Sequence, residues 1–278
     1  MGAAGTNRRM YVVGYPKSGN SWLCWLLAYC INTRYEDVYD PALRPQQPHV
    51  RKYVDGGLPH TSFQDRLGKI LKTHRLDVGT RQDAPWCYIV RDGRDVMVSM
   101  YNFTYFTRRP IRTFGLPMQS MKNLAWNMRR VLWCRFRRQK FSDFVVARGR
   151  DWADHVRAAM EHRPNAVVRY EDLRTNPDET LDELLKKMGV EVDPRVIRAA
   201  VETFDFRRIT NRKPGQEDAK SFFRKGVVGD WKEWFRDEPI RSGFQEVAGD
   251  VLEQLGYADW GEPHETAGLS TRHSDIQP

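Results

Sequence analysis

Cysteine is scarce in this 278-residue chain: Cys24, Cys30, Cys87 and Cys134 are the only four, and no two form a C-x-x-C pair. That pattern offers no disulfide framework and no thioredoxin-like or zinc-binding spacing, and with no apolar leader before the first strand it points to a reduced cytoplasm. Long hydrophobic runs are missing as well. The longest covers residues 22–31, against the roughly twenty apolar residues that a membrane-spanning helix needs. No internal repeat and no linker divides the chain, so a single domain over residues 1–278 is expected, with an ordered core over about 9–260 and polar tails at both ends. Acidic residues are in deficit: 36 Asp and Glu face 45 Lys and Arg, a net charge of +9. Such a surface favours anionic partners, whether nucleic acid, a membrane surface or a phosphate-bearing small molecule. The hydrophobic fraction of 40% and charged fraction of 29% are those of an ordinary globular chain.

What is present begins with residues 9–31. Residues 10–13 are an apolar run suited to a short buried strand, Gly14-Tyr15-Pro16-Lys17-Ser18-Gly19-Asn20-Ser21 follows, and residues 22–31 read as an apolar helix. Gly14 and Gly19 have the spacing of the two glycines of a P-loop, where backbone N–H groups wrap an anion at a helix N-terminus, and Ser21 takes the hydroxyl position. Asn20 stands where a nucleotide kinase has its lysine, and the loop's own lysine is Lys17. A plain strand-turn-helix join has the same spacing, so other stretches must decide.

Residues 33–68 lose any period, broken by four prolines and Gly56-Gly57, and read as a substrate-side excursion or a surface insertion. Residues 69–73 form a second strand delivering Lys72 and His74 at its C-terminal end, where ligands gather in open parallel sheets. A third strand at 86–90 runs into Arg91 and a helix over 96–106 that carries Ser99 on its first turns. Residues 118–140 have the length of a helix whose second half is loaded with arginine, either a solvated face or a docking surface for an acidic acceptor or an anionic lipid face. A fourth strand at 166–169 ends in Tyr170, and Asn176 as cap, Pro177, two early acids, two late lysines and Gly189 mark the next helix. Further helices are expected at 194–204 and 239–256, with an irregular basic stretch over 211–229 between them that holds Arg224-Lys225-Gly226 and leads into residues 230–235. Strands alternating with helices give an α/β fold, a mostly parallel central sheet flanked by helices.

Five blocks, Tyr-Pro-Lys-Ser-Gly-Asn-Ser-Trp at 15–22, Lys-Thr-His at 72–74, Arg-Asp-Gly-Arg-Asp-Val-Met-Val-Ser at 91–99, Tyr-Glu-Asp at 170–172 and Arg-Lys-Gly-Val-Val-Gly-Asp-Trp at 224–231, together resemble the cytosolic-type sulfotransferases, in that family's order. The resemblance implies a P-loop-like sulfotransferase fold and 3′-phosphoadenosine 5′-phosphosulfate (PAPS) as donor, with 3′,5′-bisphosphoadenosine (PAP) as product. It implies Lys17 on the phosphosulfate, Ser18, Gly19, Asn20 and Ser21 on the 5′-phosphate, and Trp22, Tyr170 and Phe206 at the adenine. Arg91, Ser99, Arg224, Lys225 and Gly226 would hold the 3′-phosphate, while Lys72 and His74 stand beside the acceptor. Sulfuryl transfer needs cations where charge grows on the bridging oxygen and a base of near-neutral pKa, such as histidine at about 6.5. It demands no metal, and no His/Cys/Asp ligand cluster is found. The composition of residues 33–68, 101–119 and 211–223 suits a small aromatic or amphipathic acceptor, hydroxyl or amine. Two rivals remain. A nucleotide-dependent kinase expects lysine at position 20, and a basic nucleic-acid-binding protein expects a binding motif or aromatics spread along the basic surface, neither of which is present. No segment like the family's dimerisation element is recognisable in residues 232–241, and the oligomeric state stays open.

Overall fold

A computed structural model describes residues 9–33, 35–37, 69–79, 84–105, 139–218 and 223–260. Its centre is β1 (Arg9–Val13), followed by α1 (Asn20–Cys30), β2 (Tyr35–Asp37), β3 (Lys69–Thr73), α2 (Leu76–Gly79), β4 (Trp86–Val90) and α3 (Gly93–Tyr105). Then come α4 (Phe141–Glu161), β5 (Ala166–Arg169), α5 (Tyr170–Thr175), α6 (Pro177–Lys187), α7 (Pro194–Thr203), α8 (Phe206–Thr210), α9 (Trp231–Trp234) and α10 (Glu238–Gln254). The strands form one sheet in the order β2-β3-β1-β4-β5, and every pairing is parallel. The chain reaches β3 on one side of β1 and β4 on the other. That reversal makes the C-terminal end of β1 a topological switch point, where a crevice opens.

The strands alternate between two cores with period two. Met10, Val12, Ile70, Cys87, Ile89 and Val168 face α1, α6 and α7, packing on Leu23, Leu26, Leu184 and Phe204. Tyr11, Val13, Leu71, Tyr88 and Val90 face α3, α4 and α10, against Val96, Trp152, Phe244 and Val251. Both faces covered is the condition a parallel sheet requires, and the expected α/β architecture is the one found.

Several local expectations shift. Residues 33–68 contain β2, whose Tyr35 is buried with its hydroxyl accepting a hydrogen bond from Trp25 Nε1 at 2.9 Å, so one aromatic anchor fixes an edge strand where prolines hide any period. The helix expected from residue 96 starts at Gly93, because the Asp92 carboxylate accepts from Arg94 N at 2.9 Å and caps it. Asn176 makes no side-chain capping bond, and α6 starts instead on Pro177 with Asp178 and Glu179 in its first turn. Of the helix expected over 118–140, residues 139–140 are not helical and the rest lies outside the described residues, as do both expected tails. The 21-residue α4, to which the sequence reading gave no element, buries Phe144, Val145, Gly149, Trp152, Ala153, Val156 and Ala159. Those positions recur every three or four residues, the spacing of one helical face.

Candidate functional site

Register brings the strand ends to one edge. Val13 pairs with Thr73 on one side and Tyr88 on the other, and Val90 pairs with Arg169, so Gly14, His74, Arg91 and Tyr170 all emerge at the crevice. The loop after β1 turns tightly, with Ser18 N donating to Tyr15 O at 3.2 Å and Lys17 in the left-handed region at φ 74°. Gly19 precedes α1 at φ 103°, and a Cβ there would lie 2.6 Å from the Tyr170 ring, so only glycine lets the loop close on that ring. No side chain caps α1, and the first N–H groups of a helix have no acceptor within it. Asn20 is buried with its amide donating to Gly14 O at 3.1 Å. The residue at the kinase-lysine position therefore closes the loop from within instead of reaching out of it.

Around this loop several buried donors lack an acceptor. Ser18 Oγ, Arg91 Nε and Arg224 Nε have no hydrogen-bond partner, which is costly in a protein interior and suits a site built for an anion. Arg91 is fixed by Asp95 Oδ2 and Val227 O, both at 3.2 Å, and lies 4.3 Å over the Tyr170 ring. Burial works against its charge, but Asp95, Tyr170 and Glu171 outweigh it and hold the guanidinium firmly protonated. Arg91 thus does pair with Asp95, as a structural arginine would, while still facing the loop. Asp95 also accepts from Gly229 N at 2.9 Å and Trp231 N at 3.0 Å, fastening the 224–231 stretch to α3. In that stretch Arg224 bonds to Asp230 and to Glu217 at 2.9 Å, and Lys225 reaches Asp230 at 2.6 Å. Burial pushes the Asp230 carboxyl up, but Lys225 and Arg224 prevail and keep it below the ordinary carboxylate range. Gly226, at φ 63°, sits against Phe206, whose ring would be 2.3 Å from any Cβ there.

On the opposite side of the loop is His74, whose Nδ1 lies 2.6 Å from Gly14 O. A carbonyl only accepts, so Nδ1 carries the hydrogen and the lone pair is on Nε2. Lys72 is nearly buried on β3, and Lys17 Nζ sits 4.3 Å over the Phe103 ring of α3. Trp22 stands edge-on to Tyr170 with centroids 5.9 Å apart and donates from Nε1 to Phe204 O at 3.0 Å. Ser21 is half-buried at the start of α1, and Ser99 half-buried on the second turn of α3. The sequence reading took Asp95 only as a possible ion-pair partner of Arg91 and gave no site role to Glu217, Asp230 or His155. Asp230 had a signal, since it stands in the Gly-Asp-Trp block next to the two cations it holds.

Among the described residues no group of three or more His, Cys, Asp or Glu side chains is placed to hold a metal, and no helix is long and apolar enough to cross a membrane. The basic stretch behind the nucleic-acid reading lies almost wholly outside the described residues.

The family model for the sulfotransferase domain matches residues 7–256. Sulfotransferase 1B1 of Mus musculus is 27% identical over 249 residues, covering 81% of this chain and 76% of its own. Sulfotransferase 2A1 of Homo sapiens is 22% identical over 268 residues, covering 88% and 85%. The crystal structure of mouse sulfotransferase SULT7A1 complexed with PAP shares the fold at a TM-score of 0.57 and 18% identity, covering 91% of this chain and 90% of that one. With the matched span running from β1 to beyond the end of α10, the chain belongs to the sulfotransferase domain family, the enzymes that transfer a sulfuryl group from PAPS.

Proposed function

We propose that the chain, acting as a single domain over residues 1–278 in a reduced cytoplasm, transfers the sulfuryl group of PAPS to a hydroxyl or amine of a small aromatic or amphipathic acceptor, with His74 as general base. The observation that carries this reading is the 2.6 Å bond between His74 Nδ1 and Gly14 O, which sets a proton acceptor against an anion-binding loop. PAPS supplies an activated sulfuryl group on a phosphate leaving group. His74 Nε2 takes the acceptor's proton as the acceptor oxygen or nitrogen bonds to sulfur. Lys17 and Lys72 stabilise the charge left on the oxygen that had bridged sulfur to the 5′-phosphate.

The donor's two phosphates match the unsatisfied donors. Ser18 Oγ and the backbone N–H groups of Gly19, Asn20 and Ser21 are suited to the 5′-phosphate at the start of α1. Arg91, Ser99, Arg224, Lys225 and the Gly226 backbone are suited to the 3′-phosphate, with Asp95 and Asp230 holding the cations in place beforehand. Trp22, Tyr170 and Phe206 offer the faces against which adenine lies.

A screen of phenols, alcohols and amines with radiolabelled PAPS identifies the acceptor. With it in hand, His74→Ala is expected to lower turnover by about a hundredfold or more while calorimetry finds PAP affinity unchanged. Wild-type turnover in that variant would remove His74 from the chemistry.

A further inference from the structure

Helix α4 carries none of the residues assigned to the donor, yet one of its residues touches the backbone of the base. His155 is half-buried midway along the helix, and both its ring nitrogens are engaged. Nε2 lies 2.8 Å from His74 O and Nδ1 lies 2.9 Å from the Tyr88 hydroxyl. The carbonyl can only accept, so Nε2 carries the hydrogen, Nδ1 is the acceptor, and the Tyr88 hydroxyl donates to it. One neutral tautomer satisfies every partner. Burial pushes the His155 pKa down, and the hydrogen bond to His74 O pushes it up by less, so the neutral form is favoured. The ring is boxed in by Tyr88, stacked at 5.8 Å, and by Tyr15, edge-on at 5.5 Å. Tyr88 itself is fully buried on β4.

His74 lies one residue beyond β3, past the last pair of the parallel ladder, Val13 with Thr73. Its ring is oriented by Gly14 O, a carbonyl that Asn20 also holds. Its own carbonyl is fixed by His155.

We propose that His155, oriented by the Tyr88 hydroxyl, is a positioning residue that locks the backbone of His74 so that its ring stays on Gly14 O with the lone pair on Nε2. The proposal rests on the reading of His74 as the base. A misplacement of about 1 Å costs on the order of a hundredfold in rate, so a single hydrogen bond to the backbone of the base carries kinetic weight without touching substrate.

The test pairs a spectroscopic with a kinetic measurement on the full chain. In ¹⁵N-histidine spectra, assigned with His74→Gln and His155→Gln, wild-type His74 is expected as the Nδ1–H tautomer and His155 as the Nε2–H tautomer. His155→Leu should leave His74 with mixed tautomers and lower kcat by about ten- to a hundredfold, with PAP affinity and the KM for PAPS unchanged. His155→Gln, whose amide can donate to His74 O and accept from Tyr88, should restore the His74 signature and most of kcat. Tyr88→Phe, which deletes the hydroxyl that donates to Nδ1, should shift the His155 Nδ1 resonance while Nε2 keeps its hydrogen, and should lower kcat in the same direction, and it serves where the Leu variant fails to fold. An unchanged His74 signature or an unchanged kcat in His155→Leu overturns the proposal, as does a Gln variant no better than Leu or a His155 signal unmoved in Tyr88→Phe. Failure of the underlying reading is a separate result: His74→Ala would then turn over at the wild-type rate, while the tautomer signatures stand or fall independently.

Discussion

Lys17 keeps a left-handed backbone at φ 74°, a conformation that costs a residue with a Cβ about 1–2 kcal/mol. The loop holds it there, and its ammonium rests over Phe103 at 4.3 Å. In the role proposed for it, Lys17 is a cation placed in advance where charge would appear, and such a cation acts mainly in the transition state. Lys17→Met is therefore expected to lower the single-turnover rate at saturating donor by about a hundredfold or more, and calorimetric PAP affinity by much less. Equal losses in rate and affinity would make Lys17 a ground-state anchor. That Lys17, His74 and Arg91 gather at one edge of the sheet was legible in the sequence because each lies within a few positions of a strand end. Asp95 was legible only as a partner of Arg91 four positions before it, whereas its hold on Trp231 and the hold of His155 on His74 were not, because those partners lie 136 and 81 positions away and no local spacing encodes such a contact.

At the scale of elements, strong local signals carried the reading and weak ones lost it. Pro177 with its acids and Lys186 and Lys187 at the other end define α6 even though Asn176 makes no cap bond. Helix α4 has no capping side chain, starts after Lys140, and mixes Gly149 with Arg148, Arg150, Asp151 and Asp154, so its apolar stripe was hidden among charges. The start of α3 carries more than a cap. Arg94 pairs with Asp92 at 2.8 Å, donates to Tyr257 O and Asp259 O at 2.8 Å each, and lies over Trp231 at 3.7 Å and Trp260 at 4.8 Å. It thereby ties the segment after α10 to the element that begins beside Arg91. Arg94→Met keeps much of the volume but leaves Asp92 buried beside an apolar chain, and is expected to destabilise the fold by about 3–5 kcal/mol. Urea unfolding reads this as a lowered midpoint. A midpoint within error of wild type would show that Asp92 finds another partner or takes up a proton at little cost.

For the whole molecule, the parallel sheet converts sequence order into a site. Each of β1, β3, β4 and β5 ends in a segment that carries candidate site residues, and the reversal at β1 places them around one crevice. Alternation of strands and helices, which the sequence displays, was enough to predict that much. The 224–231 stretch, far along the chain, reaches the same crevice through Asp95, and only the fold reveals that bond. The proposed function assigns two anion sites, one at the α1 N-terminus and one among Arg91, Arg224 and Lys225. On that proposal a nucleotide with both 5′- and 3′-phosphates fills both, while AMP leaves the second empty. Two charge-assisted hydrogen bonds at roughly 1.5–3 kcal/mol each would give a preference on the order of a hundredfold or more. The decisive measurement is calorimetric titration of PAP and of AMP into the wild-type chain, repeated with the double variant Arg91→Ala, Lys225→Ala. PAP is predicted to bind the wild type at least about a hundredfold more tightly than AMP, with most of that margin lost in the double variant. Equal affinities for the two nucleotides in the wild type would contradict the assignment of PAPS as donor.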